Sequence, residues 1–325
     1  MMDNQDFENK NILITGASGF IGHALTKSLA TIECSLTRIS RNKHKLLPLD
    51  GPAKITDAEI DYTSAAVWQD LVPGADIIFY LSAQTSSADA NKDPKQDYRH
   101  NVLPLLNLLE TLRETKSQPT VIFASTATIV GLTEDLPVAE NVSEKPITVY
   151  DIHKLCCEKY LSYYASNGHI RSCSLRLANV YGPGVNSGSA DRGILNMMIR
   201  RAIQNETLSI FGEGQQIRDY TYISDIVSAF LTAAEKIGAT NGQHFNIGSG
   251  QGHTFTEAFG EVVKYANSKL HCDVQIEHID APGNLPPIET RNYIADTTKF
   301  SSTTGWSAKI DLHSGIQQTL DHYLS

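Results

Sequence analysis

The sequence lacks long apolar runs, a signal-peptide pattern and any excess of basic residues. No apolar run approaches the roughly 18–20 residues of a membrane-spanning helix, so we expect no membrane segment. The first ten residues, MMDNQDFENK, are polar, so we expect no secretory signal and a cytoplasmic protein. The net charge is −9, with 36 acidic and 27 basic residues. This balance disfavours a nucleic-acid binder, which needs a basic face for phosphates.

Cysteine and histidine are too few and too scattered to form a structural framework. The cysteines are odd in number and form no C-x-x-C pair, which favours reduced thiols over disulfides: Cys34, Cys156, Cys157, Cys173 and Cys272. The 11 histidines form no cluster with zinc-ligand spacing, so we predict no metal. Internal repeats and low-complexity segments are also missing. Two stretches rich in glycine, proline and polar residues, 181–193 and 280–292, are typical of loops.

Short apolar runs alternate with amphipathic segments through the first half of the chain. Predicted buried strands cover 11–16, 34–40, 75–83, 120–126 and 171–180, and predicted helices cover 20–30, 101–114 and 150–166. This alternation indicates βαβ units and a parallel sheet covered on both faces. After about residue 180 the pattern becomes irregular, as expected for a smaller appended lobe.

The stretch TGASGFIG lies between a predicted strand and a predicted helix. It supplies Gly16, Gly19 and Gly22 in a G-x-x-G-x-x-G pattern. Such glycines allow a tight turn and a close approach of a pyrophosphate to the helix N-terminus. We therefore predict a dinucleotide site that also includes Ser18, Phe20 and Ile21. The alternative is a glycine turn that binds no ligand.

Together these features predict an α/β protein with a Rossmann-type doubly wound parallel sheet. We expect residues 1–178 to form the nucleotide-binding domain, with a later return of the chain at about 216–248. Residues 179–325 would otherwise form a smaller C-terminal α/β lobe for the substrate.

The stretch TRISRNKHK follows the glycine loop where an acidic residue usually holds the adenosine ribose. Ser40 occupies that place and Arg41 follows it, and the first acidic residue after Ser40 is Asp50. A guanidinium without a neighbouring acid can bind a 2′-phosphate, so the sequence favours NADP(H), with NAD(H) possible. The alternative is a solvated basic turn.

Tyr150 and Lys154 in VYDIHK are four residues apart, on one face of a predicted helix. A tyrosine exchanges protons near neutral pH only if its pKa, ordinarily about 10, is lowered. A nearby ammonium has that effect because it stabilises the phenolate. The pair alone is weak support, since this spacing is common on helix surfaces.

The order of TGASGFIG, FASTATIVG and YDIHK resembles the extended short-chain dehydrogenase/reductase family, and in particular its nucleotide-sugar epimerases, dehydratases and reductases. The resemblance continues through RLANVYGPG, FGEGQQIRDYTYISD and FNIGSG, and so covers nearly the whole chain. It implies that Tyr150 transfers a proton, that Lys154 tunes it and holds the ribose, and that Thr126 aligns the reacting sugar oxygen.

The strand-end motif distinguishes between reactions of the family. Its dehydratases carry Asp-Glu after the threonine, whereas this chain has Ala127 and Thr128, which argues against a dehydratase. Ala124 and Val130 replace a common serine and tyrosine without removing a catalytic hydroxyl. The motif TATIVG most resembles the corresponding motif of the family's 4-epimerases.

The resemblance also implies a binding site for a nucleoside-diphosphate sugar. Asn179 and Arg218 would contact its phosphates; for Arg218 the alternative is a surface ion pair with Asp219. The family's Arg-Pro-Gly-Asp motif appears here as APGN without its arginine, and Arg291 could substitute. The apolar residues Leu208, Ile210 and Phe211 would belong to the core or to a base pocket, and we favour the core.

Four further residues complete the predicted cofactor site. Leu81 and Ala83 end the strand 75–83, and Asp61 would lie near adenine or serve only as a turn residue. Asn101 would open the leucine-rich helix near the nicotinamide, or merely cap it. The helices 101–114 and 150–166 would pair with their copies in a homodimer, or serve only as core.

The predicted activity is hydride transfer at C4 of a nucleoside-diphosphate hexose. TATIVG favours a 4-epimerase, which regenerates its cofactor, and SRNK favours a 4-keto-6-deoxy-sugar reductase, which consumes NADPH. A carbonyl reductase of the same fold acting on a non-sugar substrate, and a non-catalytic NADP-binding protein, are less favoured.

Overall fold

The computed structural model describes residues 4–185, 193–283 and 285–325. Seven parallel strands form the central sheet, in the spatial order β10-β6-β5-β4-β1-β2-β3. They are β1 (Asn11–Thr15), β2 (Ser35–Ser40), β3 (Lys54–Glu59), β4 (Ile77–Tyr80), β5 (Thr120–Thr126), β6 (Arg171–Leu177) and β10 (Gln243–Ile247). The strand order reverses between β1 and β4, and ligands of such sheets bind at the carboxyl ends of the strands at this point.

Helices cover both faces of this sheet, which explains why its central strands are apolar on both sides. Ile12 and Ile14 of β1 pack in one core, and Leu13 between them packs in the other. The first core is covered by α1 (Phe20–Leu29), α8 (Ile223–Glu235) and α11 (Thr298–Thr304). The second is covered by α2 (Ala66–Leu71), α5 (Leu103–Thr115) and α6 (Val149–Ser166).

Smaller helices connect these layers. In the part of the chain that the structure describes, these are α3 (Ser87–Lys92), α4 (Pro94–Asn101), α9 (Ile237–Thr240) and the 3₁₀ segments Asn4–Phe7, Lys43–Lys45, Ala127–Val130 and Pro287–Thr290. Among the described residues, no helix is both long and apolar enough to span a lipid bilayer.

A second lobe has its own core and two small sheets. One sheet contains β7 (Asn179–Tyr181), β9 (Ile217–Tyr222) and β11 (Gly252–Thr254), and the other pairs β8 (Leu208–Phe211) with β12 (Ile276–Ile279). The helices α7 (Ile194–Ile203), α10 (Phe255–Leu270) and α12 (Leu312–Leu324) pack around them.

The structure corrects three predicted elements. The predicted strand 171–180 divides into β6 and β7, which belong to different sheets. The predicted helix 101–114 is also divided, because α4 ends at Asn101 and α5 begins at Leu103. The strand β3 was missed; it lies at the sheet edge and has no fully buried residue, so it lacks an apolar run. Residues 186–192 of the predicted loop 181–193 and residue 284 of the loop 280–292 lie outside the described residues.

Candidate active site

A large cleft lies between the carboxyl ends of the central strands and the second lobe. Its volume is about 1520 Å³. Pockets for one small molecule usually measure about 300–1,000 Å³, so this cleft has room for two ligands. Its walls include the glycine loop, the end of β2, the start of α6 and one side of β8.

The glycine loop turns sharply at the end of β1. Gly16 has φ +67°, and a Cβ there would come within 2.9 Å of the Ser82 nitrogen. A Cβ on Gly22 would lie 2.2 Å from the Gly16 carbonyl oxygen. The loop is also fastened by Tyr62, whose hydroxyl accepts a hydrogen bond from Gly16 N at 3.1 Å and donates to Ile39 O at 3.0 Å. Glycine is therefore required at these positions for backbone segments to approach closely.

The helix α1 begins at this loop with its N-terminus at the cleft. Gly19 is its N-cap and provides no side-chain hydrogen bond to the first turn. Gly19, Phe20, Ile21 and Gly22 all line the cleft. N–H groups without a cap and the positive end of the helix dipole can bind a pyrophosphate. The residues present thus fit a dinucleotide.

The end of β2 is basic at its surface. Ser40 is the last residue of β2, and its hydroxyl lies 2.8 Å from that of Ser18. The exposed Arg41 follows it and lines the cleft, together with Asn42 and Lys45, which the sequence analysis had not assigned to the site. The structure therefore places positive side chains, and no acid, directly after β2.

Asp61 lines the cleft and also forms a turn. Its carboxylate accepts hydrogen bonds from Thr63 N at 3.0 Å and Thr63 Oγ1 at 2.8 Å. These bonds lower the pKa of Asp61 below its ordinary value. The acid is thus ionised in the cleft, and it follows the end of β3, whereas Arg41 follows the end of β2.

The loop after β4 carries Leu81 and Ala83, which both line the cleft. Asn101 does not open the leucine-rich helix as predicted, because it is the last residue of α4. It is buried, accepts a hydrogen bond from Gln84 N at 2.8 Å and donates to Gln84 O at 3.0 Å. Asn101 therefore holds the loop that lines the cleft and is not itself among the lining residues.

Tyr150 and Lys154 lie on the first turns of α6, with Tyr150 in the wall of the cleft. The Lys154 Nζ lies 5.8 Å from the centre of the Tyr150 ring and donates to Ala124 O at 2.7 Å. Burial lowers the pKa of Lys154 to about 8. The ammonium thus lies behind the tyrosine, close enough to stabilise a phenolate.

Thr126 ends β5 at the opposite side of this wall and lines the cleft. Its hydroxyl lies 2.7 Å from that of Thr128, at the start of the 3₁₀ segment Ala127–Val130. The strand β5 ends, and the helix α6 begins, at the same edge of the sheet. Thr126 and Tyr150 therefore line the same cleft.

Two arginines lie together at the side of the second lobe. Arg218 is 1% exposed, and its guanidinium donates to the carbonyls of Arg291 and Glu289 and stacks 4.8 Å from the Phe255 ring. Burial, with the nearby Arg291 charge, lowers the pKa of Arg218 to about 10. Arg291 lies 3.9 Å from the Glu289 carboxylate. Two neighbouring cations facing one cleft favour an anionic ligand.

The alternative for Arg218, a surface ion pair with Asp219, is wrong. Asp219 is fully buried, and its carboxylate accepts hydrogen bonds from Ser249 and from the backbone N–H groups of Gly250 and Ala295. Among the described residues, Arg218 has no carboxylate within ion-pair distance. Asn179, the first residue of β7, also lines the cleft.

The apolar wall near these arginines combines the two roles considered for β8. Leu208 is buried in the core, whereas Ile210 and Phe211 line the cleft and Phe211 is 46% exposed. The sequence analysis missed Gln216 and Tyr293, which line the cleft as well. Their Oε1 and hydroxyl atoms are buried without a hydrogen-bond partner among the described residues, a signal that only the structure provides.

Comparison with known proteins identifies the family of this chain. The sequence profile of the NAD dependent epimerase/dehydratase family matches residues 12–248. A UDP-glucose 4-epimerase of Mycolicibacterium smegmatis is 26% identical over 96% of this chain and 97% of its own. A dTDP-4-dehydro-6-deoxyglucose reductase of Escherichia coli is 26% identical over 97% and 98%. The structure of a Thermotoga maritima UDP-glucose 4-epimerase with UDP-glucose has a TM-score of 0.86 and 27% identity, covering 97% of this chain and 98% of that one.

The chain belongs to the NAD dependent epimerase/dehydratase family, the extended short-chain dehydrogenases/reductases. The predicted family and fold class are confirmed. The chain is thus an NAD(P)-binding enzyme of the nucleotide-sugar group, which includes epimerases, reductases and decarboxylases.

Proposed function

We propose that this enzyme transfers a hydride at C4 of a nucleoside-diphosphate hexose and acts as a 4-epimerase. The observation that carries the proposal is the arrangement of one cleft. A glycine loop with an uncapped helix N-terminus, the pair Tyr150 and Thr126, and the arginines 218 and 291 all face it. This arrangement fits a dinucleotide beside a second phosphate-bearing ligand.

The proposed chemistry divides between cofactor and protein. Bound NAD(P) supplies the hydride acceptor and donor. Tyr150 takes the proton from the sugar hydroxyl and returns it, and Lys154 stabilises the phenolate from its buried position behind the ring. Thr126 holds the reacting oxygen through its hydroxyl. Thr126 and Tyr150 therefore contact the substrate, and Lys154 acts on Tyr150 and the cofactor ribose.

The proposed cofactor is NADP(H), with NAD(H) as the alternative. Ser40 leaves the end of β2 without an acid that would repel a 2′-phosphate, and Arg41 and Lys45 face the same part of the cleft. Gly16, Ser18, Phe20, Ile21, Leu81 and Ala83 would complete the cofactor site, with Asp61 near adenine. Asn101 would act indirectly, through Gln84.

A 4-keto-6-deoxy-sugar reductase is the second candidate. It is favoured by the basic end of β2, because a reductase consumes a hydride in every turnover and suits the NADPH pool. The E. coli relative named dTDP-4-dehydro-6-deoxyglucose reductase, which covers almost the whole chain, supports it independently.

The substrate would lie with its phosphates near Asn179, Arg218 and Arg291. Arg218 already donates to three carbonyls, those of Ile217, Arg291 and Glu289, and stacks on Phe255, so it would act mainly as a fixed positive charge. The carboxyl end of β8, where Ile210 and Phe211 line the cleft, would receive the base. Residues 1–178, with the return at about 216–248, would then serve the cofactor, and the rest of 179–325 the substrate.

The test is an assay of purified protein against UDP-, dTDP-, GDP- and CDP-hexoses and their 4-keto forms. Inversion at C4 without added reductant supports the epimerase; oxidation of NADPH only with a 4-keto sugar supports the reductase. Turnover of non-sugar carbonyls alone would replace both by a general carbonyl reductase. No turnover with any of these substrates would favour a non-catalytic NADP-binding protein.

Tyr150→Phe should lower turnover by about 10²–10⁴-fold, the usual contribution of a positioned acid–base group. Cofactor affinity should survive, because the glycine loop is unchanged. The matched control is Tyr163→Phe, which removes the same hydroxyl from a side chain that is 61% exposed on the same helix. Unchanged turnover in Tyr150→Phe would refute the assigned role.

The proposal includes a cytoplasmic homodimer that pairs through the two helices predicted at 101–114 and 150–166, which the structure gives as α5 and α6. All five cysteines are free thiols, in keeping with a reducing compartment. Exposed apolar side chains on and beside α6 support the dimer: Tyr98, Ile152 and Tyr163.

A further inference from the structure

A chain of hydrogen bonds leads from the cleft to a buried carboxyl group. The hydroxyls of Thr126 and Thr128 lie 2.7 Å apart, and Thr128 donates to Asp151 Oδ1. The other oxygen of Asp151 accepts from the Thr148 hydroxyl at 2.7 Å. Thr126, Thr128 and Asp151 all belong to the cleft wall, although Asp151 is only 1% exposed.

The direction of this chain depends on the proton of Asp151. A hydroxyl has one hydrogen to donate. When Asp151 is ionised, the Thr128 hydrogen goes to the carboxylate, so Thr126 must donate to Thr128 and can only accept from the cleft. When Asp151 Oδ1 carries a proton, it can donate to Thr128, which donates to Thr126. The Thr126 hydrogen is then released for an acceptor in the cleft.

The two states suit different forms of a sugar. A ketone oxygen can only accept a hydrogen bond, so it is disfavoured beside a Thr126 that can only accept. A sugar hydroxyl can donate or accept by rotating, so it fits both states. The protonation of Asp151 should therefore change the affinity for the ketone and leave that for the alcohol nearly unchanged.

We propose that Asp151 is a positioning residue that sets the hydrogen-bonding direction of Thr126 and thereby discriminates between the keto and hydroxyl forms of the substrate. The proposal rests on the proposed function at C4. Asp151 acts on the cleft through the hydroxyls of Thr128 and Thr126. Proton transfer to and from the substrate stays with Tyr150.

The surroundings of Asp151 shift the pKa of its carboxyl group in both directions, and the upward shift is the larger. Burial raises the pKa of Asp151 above its ordinary value, while the hydrogen bonds from Thr128 and Thr148 and the Arg291 charge lower it. Other charged side chains on α6 and on the elements around it are paired with each other or exposed: Asp97 with His153, Arg176 with Glu158, and Asp89 and Lys92 on α3. Lys154, one turn along α6, hydrogen-bonds Ala124 O.

The experiment measures binding in the Tyr150→Phe background, where turnover is suppressed. With NADP⁺ at saturation, the Kd values of UDP-glucose and UDP-4-keto-6-deoxyglucose are measured by calorimetry from pH 5 to 8. The keto ligand should bind about fivefold more tightly at the acid end, the effect of one net hydrogen bond, and UDP-glucose should change little.

Two substitutions should abolish this pH dependence. Asp151→Asn cannot ionise, and Thr128→Val keeps the volume but interrupts the chain, so the ratio of the two Kd values should stay constant in each. The matched control is Asp135→Asn, which removes an exposed acid outside the cleft and should retain the wild-type pH dependence.

Other outcomes separate this proposal from the proposed function. If both ligands bind with a pH-independent ratio, or if Thr128→Val retains the pH dependence, Asp151 serves only to cap α6 and the proposal is overturned. If neither sugar nucleotide binds and the full panel shows no turnover, the proposed function itself fails, and this inference fails with it.

Discussion

Lys154 is a cation buried beside the cleft, and among the described residues it has no carboxylate within ion-pair distance. Its Nζ lies over the Phe123 ring at 4.6 Å and donates to a backbone carbonyl. This environment lowers the pKa of Lys154 to about 8, because removing the ammonium from water disfavours the charged form. A buried group of this kind affects both the tyrosine that it serves and the stability of the fold.

We expect the free energy of unfolding of the ligand-free protein to depend on pH, and we expect Lys154→Met to remove that dependence. Between pH values of about 8 and 10.5 the unfolded chain binds the lysine proton and the folded chain does not. Raising the pH through this window therefore favours the folded state, by up to roughly 3 kcal/mol. Urea unfolding of both proteins between pH 7 and 10 measures the difference.

Lys159→Met is the matched control, because Lys159 lies on the same helix with its side chain 63% exposed. It should follow the wild-type pH dependence. If the Lys154→Met protein shows the same pH dependence as the wild type, then burial does not destabilise the charged form of Lys154.

At the residue scale, the proposed preference for NADP(H) rests on Arg41, which lines the cleft directly after β2. Arg41→Ala should weaken NADPH binding by about 5- to 150-fold, the effect of losing roughly 1–3 kcal/mol of charge-assisted hydrogen bonding. NADH binding should change much less, because NADH lacks the 2′-phosphate. Fluorescence titration with both dinucleotides measures the two affinities.

Lys43→Ala removes the same charge two residues further on, from an exposed side chain that does not line the cleft. It should leave both affinities nearly unchanged. Equal losses for NADH and NADPH in Arg41→Ala would assign Arg41 to a general basic surface.

At the scale of elements, the unit β1–loop–α1 forms the end of the cleft that is proposed to bind phosphates. Gly22 lies in the first turn of α1, where its backbone passes directly over the Gly16 carbonyl. The strand and helix could not approach this closely with any side chain at that position. The element therefore depends on glycine for its packing as much as for its ligand.

Gly22→Ala should destabilise the protein by about 1–3 kcal/mol and weaken binding of NAD(H) and NADP(H) alike, because the added Cβ forces the loop to move. The control is Gly260→Ala in α10, where a Cβ would meet nothing within 4 Å. That change should stabilise the protein by about 0.5–1 kcal/mol through helix propensity. Thermal unfolding and dinucleotide titration check both, and intact binding in Gly22→Ala would contradict the structure of the loop.

At the scale of the whole molecule, α6 lies between the cleft and the outer surface. Its inner side places Tyr150 in the cleft wall and Lys154 behind it, while Ile152 on its outer side is 49% exposed. If two copies associate through this surface, the contact would restrict the movement of α6 from its outer side. The proposed dimer would thus help to keep Tyr150 and Lys154 in position.

Ile152→Arg should convert the proposed dimer to a monomer, because a charge would then be buried in the contact. Sedimentation velocity measures the mass. Leu47→Arg changes another apolar side chain that is 45% exposed, far along the chain from α6, and should leave the mass unchanged. A wild-type protein that sediments as a monomer at micromolar concentration would end the dimer proposal.

The sequence by itself determined the alternating βα architecture and the glycine loop between β1 and α1. Both follow from local rules. Buried parallel strands must be apolar, and the close-packed positions of a loop between such a strand and a helix must be glycine. Even the end of β2 at Ser40 was predictable, which fixes Arg41 as the first residue after the strand. The edge strand β3 was not, because a partly exposed strand has no apolar signature.

Only the tertiary structure decided how residues far apart in the chain act on each other. It placed Asn101 behind Gln84 rather than in the cleft, joined Arg218 to the carbonyls of the loop around Arg291, and connected Thr126 through Thr128 to Asp151. Hydrogen-bond direction and the desolvation of charges depend on three-dimensional neighbours. Spacing in the sequence predicts which side chains are neighbours within one turn of a helix or along one strand. It does not predict contacts between residues that are far apart in the chain.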